Sequence, residues 1–314
     1  MTNILAITFP IYAAIAIGYL TVRYGWFSKD DMRTYGQYVI KIALPALLFN
    51  AVASRDLNEV IVPGYLAVFA LGGLAAIAVS YFLLTLRGVD PLRRALGVMG
   101  STSPNSGFVG YPIMLLALPD LAPVVLALNF LVENLLTIPI CLILMEAASG
   151  KGQGSPLRQI LTIIGDVLKT PFIIGLLLGM AVSVSGIGLP DPLGRLAGLL
   201  AASASALSLV VIGGSLVDLP VHGNKGLAVQ ITLQKLFLHP VLMALPAFAL
   251  TGAGLVQLEP DMMKAVILSA AMPMFGIYVV LAQKHGLEGA ASLAMLGATS
   301  GAFVTLSLLL FWLF

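Results

Sequence analysis

Long apolar runs separated by short polar connections dominate this chain, and a membrane-crossing helix needs about 20 consecutive apolar residues. On that spacing ten spans are expected, roughly 3–22, 34–53, 62–86, 92–118, 121–146, 160–184, 193–217, 226–252, 262–284 and 289–313. Little sequence is left between them, so no separate soluble domain is expected. The longest connection, Ala147 to Gln159, holds Gly150, Gly152, Gly154, Ser155 and Pro156 and reads as a flexible linker. It separates a first five-span half, 1–150, from a second, 151–314. The pattern is that of an all-α membrane protein with ten transmembrane helices.

The fourth span does not read as one continuous helix. Its middle, Ser101-Thr102-Ser103-Pro104-Asn105-Ser106-Gly107-Phe108-Val109-Gly110-Tyr111-Pro112, holds two prolines, two glycines, four hydroxyl residues and an asparagine. Proline removes a backbone donor and clashes with the preceding turn. Broken helices at membrane depth are tolerated only inside protein or beside a watery cavity, and they mark transporter substrate sites. The ninth span carries a second interruption, Met272-Pro273. The halves echo one another at an offset of 161: Phe9-Pro10 with Thr170-Pro171, Gly18 with Gly179, Ser54 with Ser215, and Pro112 with Pro273. Five spans per half would insert the second half upside down, giving an inverted 5+5 repeat. The breaks near Pro104 and Pro273 would then meet near the midplane, where half-helix N-termini favour an anion.

Composition agrees with this reading. Of 314 residues 59% are hydrophobic and 10% charged, against about 25% charged in soluble domains; mean hydropathy is +1.03. Ten Lys and Arg fall in odd-numbered connections, three in even-numbered ones, and Lys41, Lys169 and Lys235 inside spans. The positive-inside rule therefore places the odd loops in the cytoplasm and both termini outside an inner membrane. The first apolar run lacks preceding basic residues, unlike a cleaved signal peptide. Net charge is +2 and says nothing useful about partners, no nucleic-acid partner is expected, and the single Cys141 excludes an intrachain disulfide. Metal-ligand clusters, phosphate loops and nucleophile–base sets are missing from the sequence, and His222, His239 and His285 are scattered. No cofactor is expected.

Candidate chemistry lies at the interruptions and at polar residues inside spans. Asn105 can cap a half-helix and contact substrate; Ser101, Ser103 and Ser106 can bind substrate or only backbone carbonyls. Glu133 is the acid near the middle of a span, and Asn129, Glu133 and Thr137 share one helix face at i, i+4, i+8. A central acid costs about 2.5–3.5 kcal/mol on insertion scales, so it must face the interior. It reads either as a structural ion pair or neutral carboxyl, or as a site for a coupling proton or sodium ion. Lys235, with Gln234 beside it and His239 one turn on, can pair Glu133, attract a carboxylate, or neutralise helix ends. Lys41 snorkels, and Asn50 lines a cavity or packs. Gly194, Gly198, Ala202 and Ala206 form a small-residue stripe for packing within the chain or across a homodimer.

These residues also carry a resemblance. Pro104-Asn105-Ser106-Gly107 through Gly110-Tyr111-Pro112 is similar to the Asn-Thr/Ser-Gly…Gly-x-Pro signature of the auxin efflux carrier family. So are Leu44-Pro45-Ala46-Leu47-Leu48-Phe49, Lys235-Leu236-Phe237-Leu238-His239-Pro240, and Met272-Pro273 with Ala282-Gln283-Lys284-His285-Gly286. The resemblance covers both halves. It implies ten helices in two inverted repeats with crossed broken helices 4 and 9, as in sodium/proton antiporter-type folds. It further implies a crossover proline at Pro104 and substrate contact at Asn105. In the ninth span the plant pattern places its crossover proline where this chain has Tyr278, so Pro273 and Tyr278 are both candidates. The expected function is secondary transport of a small organic anion by alternating access. Helices 1, 2, 6 and 7 would form a scaffold, and helices 3–5 and 8–10 would form the moving part of an elevator. The alternatives are a sodium-coupled carrier of the bile-acid symporter type, a passive channel, and an intramembrane enzyme.

Overall fold

The computed structural model describes residues 2–150, 156–186, 188–219 and 223–314; Lys151, Gly152, Gly154 and Ser155 of the linker and His222 lie outside the described residues. Among the described residues the regular structure is helical. Unbroken helices are α1 (Thr2–Arg23), α2 (Lys29–Ala53), α3 (Pro63–Leu86), α5 (Ala122–Ala148), α7 (Asp191–Ser215), α8 (Lys225–Gly252) and α10 (Glu288–Leu313), each long and apolar enough to cross a membrane. The fourth, sixth and ninth expected spans are interrupted. Their halves are α4a (Pro91–Thr102) and α4b (Ser106–Ala117), α6a (Pro156–Leu168) and α6b (Pro171–Ser185), α9a (Pro260–Ala270) and α9b (Tyr278–Gln283). The break in the sixth span is additional to the two expected. It follows from Pro171, which drives Thr170 into extended geometry at φ −70° and ψ 139°. Its sequence counterpart Pro10 stays inside α1, so proline alone does not dictate a break.

Four helical stretches widen into single π turns: Val39–Ala43, Ser106–Gly110, Glu133–Thr137 and Gln234–Leu238. Each ends two residues before a proline, namely Pro45, Pro112, Pro139 and Pro240. In three of them the residue just before the proline donates five residues back, Leu44 to Val39 O, Ile138 to Glu133 O and His239 to Gln234 O. The proline ring clashes with the carbonyl four residues behind it and brings no donor. Widening the turn accommodates the ring and rotates the next turn. Such π turns cluster at functional sites; three of these four begin at Ser106, Glu133 and Gln234.

The chain divides into two compact units, one of residues 1–63, 107–128 and 165–217, the other of 64–106, 129–164 and 218–314. In the first unit α1 meets α7 through glycine. A Cβ on Gly18 would run into the Val210 carbonyl, and one on Gly213 into the Ile15 carbonyl. In the same way α6b meets α2, where Gly179 rests on the Phe49 carbonyl and Gly175 on that of Pro45. Pairing glycine with a partner backbone is how membrane helices gain close contact without a hydrophobic drive between them. The packed face of α7 is Ala197, Ala201, Ala204, Ser208 and Ile212, not the Gly194–Ala206 stripe. A Cβ on Gly198 would meet no atom within 4 Å, and Ala202 and Ala206 are exposed.

The second unit holds α3, α4a, most of α5, α8, both halves of the ninth helix, and α10. Gly72 of α3 abuts Met243 of α8, Gly97 and Gly100 of α4a abut Leu84 and Tyr278, and Gly297 of α10 abuts Thr232. These close approaches hold a core that also buries an acid, a lysine and a histidine.

Candidate functional site

The two interruptions meet and satisfy one another's backbone. Pro104 and Met274 form an isolated antiparallel bridge. Asn105 N donates to Pro273 O at 2.8 Å, and Phe275 N donates to Ser103 O at 3.3 Å. Where no water can serve the freed groups, such mutual pairing makes the breaks tolerable. Pro273 and Met274 therefore lie at the crossing. Tyr278 opens α9b and is fully buried, with its hydroxyl against Gly100 of α4a. Each broken helix brings one C-terminal and one N-terminal end here, so the site is not purely anion-favouring as the N-termini alone suggested.

Lys235 answers one of those C-terminal ends. Its Nζ donates to Ala270 O, the last carbonyl of α9a, at 2.8 Å, and lies 2.7 Å from His239 Nδ1. With Lys235 charged, its ammonium only donates, so Nδ1 would accept and the imidazole proton would sit on Nε2. The side chain has no exposed surface. The Ala270 contact sets it at a helix C-terminal end.

Glu133, 4% exposed, opens the π turn of α5 and accepts from Ser106 Oγ. Asn129, one turn earlier on the same face, donates from Nδ2 to Ser269 Oγ at 2.9 Å and to Ser106 Oγ at 3.4 Å. Its Oδ1 accepts from Tyr65 Oη at 2.7 Å. The acid thus sits in a hydrogen-bonded network, and the cation whose charge acts on it is Lys235. Gln234 joins two helices to α8, its Oε1 accepting from Ser80 Oγ at 2.7 Å and Ser101 Oγ at 2.9 Å.

The second unit gathers Ser103, Pro104, Asn105, Ser106, Asn129, Glu133, Gln234, Lys235, His239, Pro273 and Tyr278, all buried. Asn50 belongs to the first unit and is half-buried. Sequence reasoning missed Tyr65, Ser80 and Ser269. Tyr65 and Ser269 lie at an apolar helix start and four residues before Pro273, with no local pattern that separates them from packing residues. Among the described residues no group of three or more His, Cys, Asp or Glu could hold a metal ion.

Comparison with known proteins gives a consistent picture. Residues 4–310 match the family model described as "Membrane transport protein". A protein of Rhizobium meliloti (strain 1021) named "Putative malonate transporter" is 30% identical over 293 residues, covering 91% of this chain and 88% of that protein. "Uncharacterized transporter YfdV" of Escherichia coli (strain K12) is 23% identical over 297 residues, covering 91% and 90%. An "Uncharacterized transporter" of Methanothermobacter thermautotrophicus is 23% identical over 283 residues, covering 88% and 87%.

Proposed function

We propose, because this chain belongs to the membrane transport protein family, the auxin efflux carriers, that it moves a small organic acid across the membrane by alternating access. Family membership makes it a multi-pass membrane transporter and not an enzyme. The observation that carries the finer reading is the antiparallel crossing at Pro104 and Met274, flanked by buried Glu133 and Lys235. A crossing of this kind holds backbone donors and charged side chains together at one depth. The substrate proposed first is a dicarboxylate such as malonate, in line with the name of the Rhizobium relative. Glu133 is proposed as the coupling acid, carrying a proton.

An inverted repeat is part of the proposal. It is supported by a pair of contacts in which partners exchange roles at the same offset: Gly18 on Val210 and Gly179 on Phe49. Helices 1, 2, 6 and 7 would be the scaffold and helices 3–5 and 8–10 the moving part. The grouping of helices 1, 2 and 7 in one unit and of helices 3, 8, 9 and 10 in the other supports that division, while residues 107–128 of helices 4 and 5 group with the first unit.

Uptake into proteoliposomes tests the reading, using mono- and dicarboxylates with and without proton or sodium gradients. Asn105, beside Pro104 at the crossing, is expected to hold a substrate carboxylate through its amide donors. Asn105→Ala should weaken malonate binding by roughly 1–3 kcal/mol, and Asn105→Asp should be worse because it opposes the anion with like charge. Calorimetry that finds Asn105→Asp binding as tightly as the parent would move the anion elsewhere.

Glu133→Gln is expected to abolish the dependence of uptake on a proton gradient while exchange of preloaded substrate continues. A variant that keeps its gradient dependence leaves Glu133 a structural acid. The amide also removes a buried charge, so a rise in thermal stability is compatible with either result.

A further inference from the structure

Three side chains in the second unit close a hydrogen-bonded ring, and a fourth connects it to Glu133. Tyr65 Oη donates to Asn129 Oδ1 at 2.7 Å, Asn129 Nδ2 donates to Ser269 Oγ at 2.9 Å, and the Ser269 and Tyr65 hydroxyls are 3.2 Å apart. The other Asn129 N–H reaches Ser106 Oγ at 3.4 Å, and Ser106 Oγ meets Glu133 Oε1. All five residues are at most 4% exposed.

The proton directions follow from the acid. An ionised carboxylate only accepts, so Ser106 gives its single proton to Glu133 and must accept from Asn129. That turns Asn129 Nδ2 toward Ser106 and Ser269 and leaves Oδ1 for Tyr65. Ser269, having accepted from Asn129, donates to Tyr65, and the ring is complete. Protonation of Glu133 on Oε1, the oxygen that faces Ser106, reverses the demand. Its O–H donates to Ser106, whose own proton then needs an acceptor. Turning the Asn129 amide over supplies Oδ1 at that place, and every bond in the ring runs the other way: Asn129 to Tyr65, Tyr65 to Ser269, Ser269 to Asn129. The circulation set by the ionised acid pairs both Asn129 N–H groups, with Ser106 and Ser269, whereas the reversed one gives Nδ2 only Tyr65 as acceptor and leaves one N–H without a ring partner, so the ring favours the first.

We propose that Tyr65 and Ser269 are positioning residues whose ring with Asn129 reads the protonation state of Glu133 and carries it to the end of α9a. Ser269 immediately precedes Ala270, the residue whose carbonyl Lys235 caps. The charge of Glu133 thus reaches the crossing by a change of hydrogen-bond sense rather than by a long displacement. The charged or titratable groups that act on Glu133 and its network are Lys235 from α8 and the Tyr65 phenol from α3, while His239 faces Lys235. The proposal rests on the reading of Glu133 as the coupling acid.

Difference infrared spectroscopy on the full chain in lipid tests it, with the Glu133 carboxylate band assigned by its loss in Glu133→Gln. Ser106→Ala removes the direct donor and sets the size and direction of the band shift. Tyr65→Phe and Ser269→Ala are expected to shift the band in that same direction, because Asn129 is then no longer held to one orientation. Ser269→Thr keeps a hydroxyl and should leave the band near its original place. If Tyr65→Phe does not fold, the Ser269→Ala and Ser269→Thr pair carries the comparison. A band that moves in Ser106→Ala but stays fixed in Tyr65→Phe and Ser269→Ala overturns the proposal. The band is read without transport, so a failure of the Glu133→Gln uptake test strikes the coupling reading separately.

Discussion

Lys235→Met is expected to lower the stability of the purified protein by about 3–5 kcal/mol, the cost of removing one member of a buried charged arrangement. The ammonium serves Ala270 O and His239 Nδ1 at once, and methionine, of similar length, serves neither. It also leaves Glu133 without the cation that acts on it. Against a total stability of roughly 5–15 kcal/mol, a loss of that size removes much of the margin. Lys235→Arg should rescue little, because a planar five-donor fork does not replace a point charge in a site with no exposed surface. Thermal unfolding in detergent measures the effect. Lys41→Met is the control: Lys41 is exposed on α2, and its loss should stay within about 0.5 kcal/mol. A Lys235→Met protein that unfolds at the parent's temperature would show that the α9a end is served by something else.

Gly213→Ala and Gly18→Ala should each destabilise by about 3 kcal/mol, the upper part of the usual range for overpacking. What a new methyl meets in both cases is a backbone carbonyl, of Ile15 or Val210, which cannot rotate away as a flexible side chain would. The helices α1 and α7 would have to separate, losing contact along their whole shared face. Gly198→Ala on the same α7 meets nothing within 4 Å and should be neutral or slightly stabilising through better helix propensity. The three variants together separate a packing effect from a propensity effect. Equal unfolding temperatures for Gly213→Ala and Gly198→Ala would contradict the contact geometry. Uptake should fall with stability in Gly213→Ala while substrate affinity in the surviving folded protein stays unchanged.

Much of this architecture is written locally in the chain. Apolar run length sets the helices, since a span is a matter of about 20 residues in lipid. Pro104 and Pro273 mark breaks because proline cannot continue a helix without losing a bond, and both breaks occur where expected. Glu133 and Lys235 stand out because charge at membrane depth must be buried and compensated. The proline-spaced π turns were also legible in principle, in Leu44-Pro45, Tyr111-Pro112, Ile138-Pro139 and His239-Pro240.

Partner choice was not local. Nothing in the run around Lys235 says that its ammonium ends on Ala270, because that carbonyl is 35 residues away and is free only where α9a stops. Tyr65 and Ser269 look like ordinary residues of apolar helices, and only the approach of α3, α5 and α9a makes them a ring with Asn129. The small-residue stripe of α7 is not the face that packs within the chain, for the same reason. Sequence marks which faces allow close approach, whereas the neighbouring helix decides which face is used, here the one carrying Gly213. Sequence alone therefore determined the long apolar helices, the interruptions near Pro104 and Pro273 and the charges that must be hidden, since each is a one-residue or one-helix cost in lipid; the break before Pro171 was not among them. Tertiary structure decided which groups answer those costs, since a hydrogen bond between distant helices exists only once both backbones have been placed.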